Sequence, residues 1–218
     1  MADIRTTGLL DDFNRADENP LSGGGNWAFN QYVSDPLQLG SNAAIGSVPS
    51  NFQGSYWTPG AFSGDMEVWG TVSGDAGENN SGWLMGFGKD LDSPTTNDGY
   101  YFQIRNPVGS PHANIFRVDN NVETSLAGLP DEYLPAAGDK LLFRRVGNAL
   151  EAWYSTDGGA NWNVYFDGFG PFNDTTYMTD LNVWIGVDNG SSSTPGWNDV
   201  GGGEPIEFMP QEYRRLNR

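Results

Sequence analysis

The feature that most constrains this chain is a two-residue alternation of polar and apolar side chains, which recurs along its length without a helical stripe. Residues 65–72, for example, alternate polar with apolar positions except at Trp69. Successive side chains of a strand point to opposite faces of a sheet, so this pattern is typical of strands with one solvated face. Turn signals recur about every 8 to 12 residues, the spacing of antiparallel sandwiches. The sequence therefore predicts an all-β fold with little helix.

Two tight hairpins are the clearest local predictions. Residues 113–118 and 122–126 flank Asp119-Asn120-Asn121, and residues 140–146 and 149–154 flank Gly147-Asn148. Asn, Asp and Gly tolerate the positive φ values that such turns require. Apolar, β-prone runs predict the remaining strands, at residues 83–87, 99–105, 163–166, 181–187 and 205–208. The glycine-rich segments 22–25 and 201–203, and residues 194–199, are predicted to be loops.

Length and composition favour one folded domain. The chain has 218 residues, 30 glycines, 13 prolines and no cysteine, and its 8 tryptophans, 9 tyrosines and 12 phenylalanines supply ample apolar area for a core. Without cysteine there is no disulfide framework and no thiolate metal site. We predict a lead-in at residues 1–7, a single domain at 8–210 and a basic tail at 211–218. The tail carries Arg214, Arg215 and Arg218, either as a solvated end or for docking against an acidic partner.

The charge of the chain narrows the choice of partners. Its formal net charge is −17, which disfavours phosphate backbones and anionic membranes, so neither nucleic-acid binding nor membrane insertion is expected. No apolar run approaches the roughly 18 residues needed to span a bilayer. Charged residues near the start interrupt any signal-peptide core, so the protein is expected to be made in a cytoplasm without a secretory signal. Neutral polysaccharides, cations and other proteins remain as partners.

The order of several motifs resembles a known family. Residues 10–17, Leu21 and Asn26-Trp27 resemble the start of concanavalin A-like or laminin-G-like jelly rolls of bacterial surface proteins and bacteriophage tail and virion proteins. Downstream segments look like the same template, at residues 66–72, 82–87, 98–102, 138–141 and 157–162. The resemblance implies an antiparallel two-sheet jelly-roll sandwich of six or seven strands a sheet, with the first and last strands adjacent. This fold hosts lectins, glycosidases, lyases and structural modules, so it does not deliver a function.

The set of candidate catalytic residues is incomplete. A laminarinase-type glycosidase needs two or three acids at alternate positions of one strand face. Asp65 and Glu67 form one such pair, but Trp69 stands where a further carboxylate is required, and the pair is interpreted as the solvated face of a strand. The lone histidine, His112, is predicted in a surface loop without a nucleophile motif. A lyase groove for an anionic polymer would need more bases than this chain has. We therefore predict no enzyme activity.

Residues 155–162 resemble the Asp-box pattern. Its aspartate, Asp157, is expected to accept hydrogen bonds from backbone N–H groups of its own turn, while Trp162 packs beneath it. The motif predicts a structural hairpin staple and no catalysis.

A glycan site needs an exposed aromatic platform with amide and carboxylate groups at its rim. Trp197, with Asn198 and Asp199 beside it in a predicted loop, is the first candidate, and Tyr56 and Trp57 are the next. The alternative is that these tryptophans close the ends of the sandwich.

Calcium is the candidate cofactor, because a hard cation takes six to eight oxygen ligands and many aspartates lie in predicted loops. Asp90, Asp92 and Asp98 fall in one loop with Asn97, and Asp188 directly follows a strand together with Asn189. No interval matches an EF-hand loop, and such acids also serve plain turns.

Together these features and the resemblance predict a non-enzymatic bacteriophage virion protein, a minor tail or decoration protein. It would form a homo-oligomer, dock on other virion proteins and contact cell-surface polysaccharide. The alternative is a free carbohydrate-binding or glycan-hydrolysing domain of a bacterial surface protein.

Overall fold

The computed structural model describes residues 6–49, 51–77, 80–107, 112–130, 132–168, 170–177, 179–190 and 194–205. In these residues it contains sixteen strands and a single 3-10 turn, Gly23–Gly25. The strands in chain order are β1 Leu9–Asp11, β2 Trp27–Phe29, β3 Leu37–Gly40, β4 Ala43–Gly46, β5 Phe52–Trp57, β6 Met66–Ser73, β7 Ser81–Lys89, β8 Asp98–Asn106, β9 His112–Asp119, β10 Val122–Pro130, β11 Lys140–Val146, β12 Ala149–Ser155, β13 Asn163–Val164, β14 Phe172–Asn173, β15 Asn182–Asp188 and β16 Gly196–Gly203. The predicted all-β fold is confirmed.

The strands form two antiparallel sheets. One has nine strands in the order β13-β12-β11-β6-β16-β4-β3, with β1 paired to β16 and β14 paired to β12. The other has seven strands in the order β10-β9-β8-β7-β15-β5-β2. Because β1 pairs with β16, the first and last described strands are adjacent, as the resemblance implied. Among the described residues no helix is long and apolar enough to cross a membrane.

Side chains from both sheets fill the interior. Phe87 of the seven-stranded sheet stacks on Phe143 of the nine-stranded sheet with ring centroids 5.1 Å apart. Two buried tryptophans also bond the sheets together. The Nε1–H of Trp83 on β7 donates to the carbonyl of Gly196 at 3.0 Å, and the Nε1–H of Trp197 on β16 donates to the carbonyl of Gly186 at 3.0 Å. The two bonds run in opposite directions between the same pair of sheets.

Both predicted hairpins are confirmed. β9 and β10 pair from Asp119 and Val122 outward, and Asn120 and Asn121 adopt φ values of 47° and 66°. β11 and β12 pair from Val146 and Ala149 outward, around Gly147 at φ 57°. The first turn has two adjacent positive φ values and the second has one, at its first residue Gly147. Two-residue turns with positive φ at the first or at both central residues match the right-handed twist of the flanking strands, which explains why local sequence sufficed to predict these elements.

The prediction of loops at residues 194–199 and 201–203 is wrong except at residues 194 and 195, which precede the strand. Residues 196–203 form β16, which lies between β4 and β6 in the nine-stranded sheet. Gly201 pairs directly with Trp69, and a Cβ at residue 201 would lie 2.2 Å from Cε2 of the Trp69 ring. The glycines that looked like loop residues therefore make room for aromatic rings from neighbouring positions.

The interpretation of Asp65 and Glu67 as a solvated pair is correct only for Asp65. Asp65 is exposed, but Glu67 is fully buried. The guanidinium of Arg144 donates to Oε2 of Glu67 from Nη2 at 2.6 Å, and the backbone N–H of Thr7 donates to Oε1. The N-terminal segment thus covers this acid on the nine-stranded sheet, where its partners hold it in a structural role.

The Asp-box interpretation is confirmed. Oδ1 of Asp157 accepts from the backbone N–H of Asn161 at 2.9 Å, and Trp162 beneath the turn is 1% exposed. Hydrogen bonds from the Asn161 side chain and backbone hold the pKa of Asp157 at about 2, below its usual value.

Some predictions lie partly or wholly outside the described residues. These are the strand at residues 205–208, of which Pro205 is described and lies outside any strand, and the basic tail with Arg214, Arg215 and Arg218. The domain boundaries at residues 8 and 210 stay a prediction. His112 is the first residue of β9 and is half-buried. The prediction that it lies in a surface loop is therefore wrong.

We expect Trp197→Phe to lower the free energy of unfolding by about 1 to 3 kcal/mol. The substitution removes the indole N–H donor to Gly186 and leaves part of a fully buried site unfilled. Urea denaturation followed by circular dichroism would measure the change. Trp57→Phe is the matched control, because Trp57 is half-buried, and it should cost less. Equal losses in the two variants would contradict the assigned role of Trp197.

Candidate functional site

The outer face of the seven-stranded sheet carries an apolar cluster where a solvated face would be expected. Leu84, Leu91, Tyr101, Val118 and Trp184 are buried there, each no more than 3% exposed. Three further aromatic residues pack against them and remain partly exposed: Tyr32, Tyr56 and Phe116. This face therefore presents aromatic rings outside the sandwich core.

A covering segment, residues 30–35, explains how these side chains become buried. It follows β2 and crosses the outer face, held by backbone bonds from Gln31 N–H to the Leu91 carbonyl at 2.7 Å and from Gly54 N–H to the Asp35 carbonyl at 3.0 Å. Tyr32 in this segment packs against Tyr101, with ring centroids 6.0 Å apart. The segment forms one wall of a depression on the sheet.

That depression, the outer-face groove, has a volume of about 430 Å³. The covering segment forms one wall and the β9–β10 hairpin the other, with β5, β7 and β8 between them. The residues that line it are Tyr32, Val33, Ser34, Phe52, Leu84, Tyr101, Asn121, Val122 and Glu123. Phe52 and Val122 are 37% and 64% exposed, so apolar surface is open to solvent.

A shared carboxylate joins the two walls of the groove. The hydroxyl of Tyr101 donates to Oε1 of Glu123 at 2.5 Å, and the hydroxyl of Tyr32 donates to the same oxygen. Burial, followed by the charge of Glu123 and its hydrogen bonds, raises the pKa of both phenols, which stay protonated as donors. The contact orients two rings and leaves other oxygen lone pairs of an exposed carboxylate for a ligand.

At one end of the groove the side chains become polar. We call Gln103, Arg105 and Asp188 the polar end. Asp188 pairs with Phe52 across β15 and β5, and Gln103 pairs with Leu84 across β8 and β7, so both adjoin groove-lining residues. Gln103 is 2% exposed, and within the described part of the chain neither its Nε2 nor the buried Nε of Arg105 has a hydrogen-bond partner.

The negative charge of Asp188 is unfavourable at this buried position. It is 8% exposed, and burial raises its pKa to about 6, against an opposing effect of the positive charge of Arg105. Among the described residues no ion pair joins Asp188 to Arg105. Folding therefore holds a carboxylate in a position where its charge is poorly compensated, which is a common property of ligand sites.

The arrangement suits a sugar. Sugars offer apolar ring faces, which pack on aromatic side chains, and hydroxyls that both donate and accept hydrogen bonds. Phe52 and Tyr32 provide partly exposed aromatic surface, Glu123 and Asp188 offer acceptors, and Gln103 and Arg105 offer donors. Both kinds of recognition lie on one continuous face.

The two carboxylates of this face are too far apart to cleave a glycosidic bond between them. Glu123 lies on β10 and Asp188 on β15, four strand intervals away, which is about 19 Å across the sheet. Glycosidases of either stereochemical class place their carboxyl groups within about 10 Å. Within the described part of the groove, this pair therefore supports binding and not hydrolysis.

The structure separates the residues that the sequence proposed for glycan binding. The prediction that Trp197 forms an exposed platform in a loop is wrong. Trp197 is fully buried in β16. Asn198 and Asp199 are half-buried on the same strand, and Oδ2 of Asp199 accepts from the Thr71 hydroxyl at 3.1 Å. These three residues lie on the nine-stranded sheet, away from the groove.

Tyr56 and Trp57 divide between the two faces of β5. Tyr56 joins the outer cluster beside Trp184, its cross-strand partner. Trp57 packs inward, with its ring 5.4 Å from that of Trp27 in an edge contact. Tyr56 is thus the one predicted glycan residue that lies on the face of the groove.

The predicted calcium ligands do not come together. Asp188 pairs with Gly82 and Asp98 pairs with Lys89, and these partners lie seven residues apart on β7, or about 23 Å. The carboxylate of Asp98 forms an ion pair with Lys89 at 3.3 Å and accepts a hydrogen bond from the backbone N–H of Asn120 at 2.7 Å. Asp90 and Asp92 are exposed. No group of three or more Asp, Glu or His side chains in the described ranges could hold a metal ion.

A second, smaller cavity of about 130 Å³ lies at the edge of the nine-stranded sheet. It opens beside β12 between β13 and β14, and Trp153, Phe166 and Phe172 contribute to its lining. Its size and its separation from the polar end make it a weaker candidate than the outer-face groove.

Comparisons with known proteins establish the fold. The sequence matches no protein-family model and no curated protein. The structure is similar to the exoplasmic/lumenal domain of VIP36 in its Ca²⁺/Man2-bound form, with a TM-score of 0.64 and 13% identity, covering 94% of this chain and 90% of that one. It is also similar to the potassium-bound carbohydrate recognition domain of Emp46p, with a TM-score of 0.63, 9% identity and coverage of 91% and 97%.

A third similar structure is a legume lectin-like domain from Entamoeba histolytica, with a TM-score of 0.56, 10% identity and coverage of 87% and 96%. The architecture is therefore a two-sheet sandwich of the concanavalin A-like, legume-lectin-like type, which confirms the fold that the sequence resemblance implied. The bacteriophage part of that resemblance stays a prediction.

Sequence reasoning missed most of the groove. Tyr32, Tyr101, Phe52 and Glu123 were not proposed, because each belongs to a segment that is unremarkable by itself. One signal was present: Tyr100-Tyr101 and Val183-Trp184 place bulky residues on both faces of predicted strands, which indicates that the second face is also covered.

We expect Asp188→Asn to stabilise the protein at pH 7.5 by about 3 kcal/mol and to have little effect at pH 4. The folded-state pKa is raised from 3.8 to about 6, so the unfavourable ionisation is absent below about pH 4 and complete above about pH 6. Urea denaturation at the two pH values would measure this difference. Asp90→Asn, which removes an exposed charge, is the control. An equal effect of Asp188→Asn at both pH values would contradict the burial of its charge.

Proposed function

We propose that this protein is a non-enzymatic carbohydrate-binding module that holds a glycan in the outer-face groove. The observation that supports it most is the groove itself, where aromatic rings, an exposed carboxylate and buried unpartnered donors share one face. The fold, which several solved lectin domains share, is consistent with this proposal but does not by itself supply the function.

The absence of enzyme activity is part of this proposal. Glu67, the acid that a laminarinase-like mechanism would use, is buried under the N-terminal segment with Arg144 as its partner. Glu123 and Asp188 lie too far apart to act on one bond. A glycan held here would therefore be retained intact.

We further propose that the module acts as part of a virion, as a minor tail or decoration protein that attaches a particle to cell-surface polysaccharide. The sequence resemblance to bacteriophage tail and virion proteins supports this role. Immunogold labelling of purified particles with an antibody against this chain would test it. Labelling at the tail or capsid is the expected result, and a chain found only at a bacterial surface would favour the alternative of a free surface domain.

Phe52→Ala is expected to weaken glycan binding at least tenfold, because it removes an exposed ring that lines the groove. The probes are neutral linear hexasaccharides of glucose, mannose, galactose or N-acetylglucosamine, and titration calorimetry measures the dissociation constant. Val146→Ala is the matched control, since Val146 is an exposed apolar residue of β11 on the other sheet.

Two outcomes would contradict the proposed function. The first is that no hexasaccharide binds the wild-type protein. The second is that Phe52→Ala and Val146→Ala bind alike. Chromatography of the incubated hexasaccharides tests for cleavage, and shorter products that persist in Glu67→Gln would place hydrolysis at other residues.

A further inference from the structure

The polar end of the groove has polar atoms that folding has buried without giving them partners. Nε2 of Gln103 and Nε of Arg105 are both buried and make no hydrogen bond to any described residue, and Gln103 is 98% buried as a residue. Leaving such a donor unsatisfied costs about 1 to 3 kcal/mol. Buried polar groups of folded proteins are almost always paired with protein atoms, ordered water or a ligand, and these two donors lie on the same face as the groove.

The register of the sheet places a carboxylate opposite these donors. Asp188 on β15 and Arg105 on β8 both pair with Gly82 of β7, one from each side. Gly82 has no side chain, and a Cβ there would lie 2.9 Å from Cβ of Arg105 and 2.0 Å from the Ile104 carbonyl oxygen. Bare backbone therefore lies between the Cα positions of Asp188 and Arg105, which are two strand spacings or about 10 Å apart.

We propose that the polar end is a sugar-hydroxyl subsite that works without a divalent cation. The carboxylate of Asp188 accepts hydrogen bonds from hydroxyls of a neutral hexopyranose that lies over Gly82, while Arg105 and Gln103 donate to its oxygens. This inference rests on the proposed glycan function and specifies how one end of the groove recognises its ligand.

The side chains at the polar end do not fit a calcium ion. One of the similar structures is in a Ca²⁺/Man2-bound form, so the fold accommodates a cation in that protein. Here the positive charge of Arg105 already acts on Asp188, and a second positive charge at this position would be repelled. The other acids that the sequence offered as ligands lie about 23 Å away at the opposite end of β7. In this chain the guanidinium of Arg105 supplies, next to Asp188, the positive charge that a bound cation would otherwise supply.

A neutral sugar suits this pair of charges better than an acidic one. Arg105 and Asp188 are of opposite sign, and His112 on β9, a further titratable group, pairs with Arg105. An acidic sugar would meet Asp188 and a protein of net charge −17, whereas a hydroxyl both donates to a carboxylate and accepts from a guanidinium.

The test uses the four neutral hexasaccharides and measures dissociation constants by titration calorimetry. We expect the tightest-binding probe to have the same affinity in excess EDTA as in millimolar calcium chloride. Asp188→Asn and Arg105→Gln should each weaken it at least tenfold, since a hydrogen bond to a charged group is lost. Asp90→Asn, at the other end of β7, should leave the affinity unchanged.

Urea denaturation of Asp188→Asn and Arg105→Gln shows whether each variant is folded, so that a loss of binding is separated from a loss of folding. Binding that EDTA abolishes would overturn the inference. So would unchanged binding by both polar-end variants in a protein whose Phe52→Ala variant binds weakly, and in that case the glycan function itself stands. Wild-type protein that binds none of the four probes would overturn the proposed function together with this inference.

Discussion

The sandwich depends on two indole hydrogen bonds that cross its interior. Trp83 reaches from the seven-stranded sheet to the carbonyl of Gly196, and Trp197 reaches back from the nine-stranded sheet to the carbonyl of Gly186. Leaving a buried indole N–H without a partner would be costly, so each bond holds the two sheets at one distance and in one register. The buried indole rings also fill volume between the sheets. Gly186 lies on β15 two residues before Asp188, so the interior bond also steadies the strand that carries the polar end.

The groove exists because the outer face of the seven-stranded sheet is covered on one side only. The covering segment packs Tyr32 over Trp184 and Tyr101, and the β9–β10 hairpin rises on the other side. Glu123 connects the two walls through both phenols. Since this contact joins residues 91 positions apart in the chain, the walls keep their spacing only in the folded protein.

The residues of the polar end lower the stability of the folded protein, so stability does not explain why they are there. A buried carboxylate with a raised pKa and two buried donors without partners each oppose folding. A sandwich with a core of this size could have placed apolar residues at these positions. Their presence next to an exposed aromatic surface is the physical reason for regarding this face as a binding site.

The sequence by itself determined the local elements. Asn120-Asn121 and Gly147-Asn148 specified both hairpins because turn geometry depends on adjacent residues, and Ser155 to Trp162 specified the Asp-box turn. Alternation specified an all-β chain. The tertiary structure alone decided which face each residue meets. It converted Gly201–Gly203 from an expected loop into the end of a central strand, buried Trp197 and Glu67, and brought Tyr32, Phe52, Tyr101 and Glu123 into one groove. These outcomes depend on pairings between distant strands, and a local pattern contains no information on which strand will lie beside it.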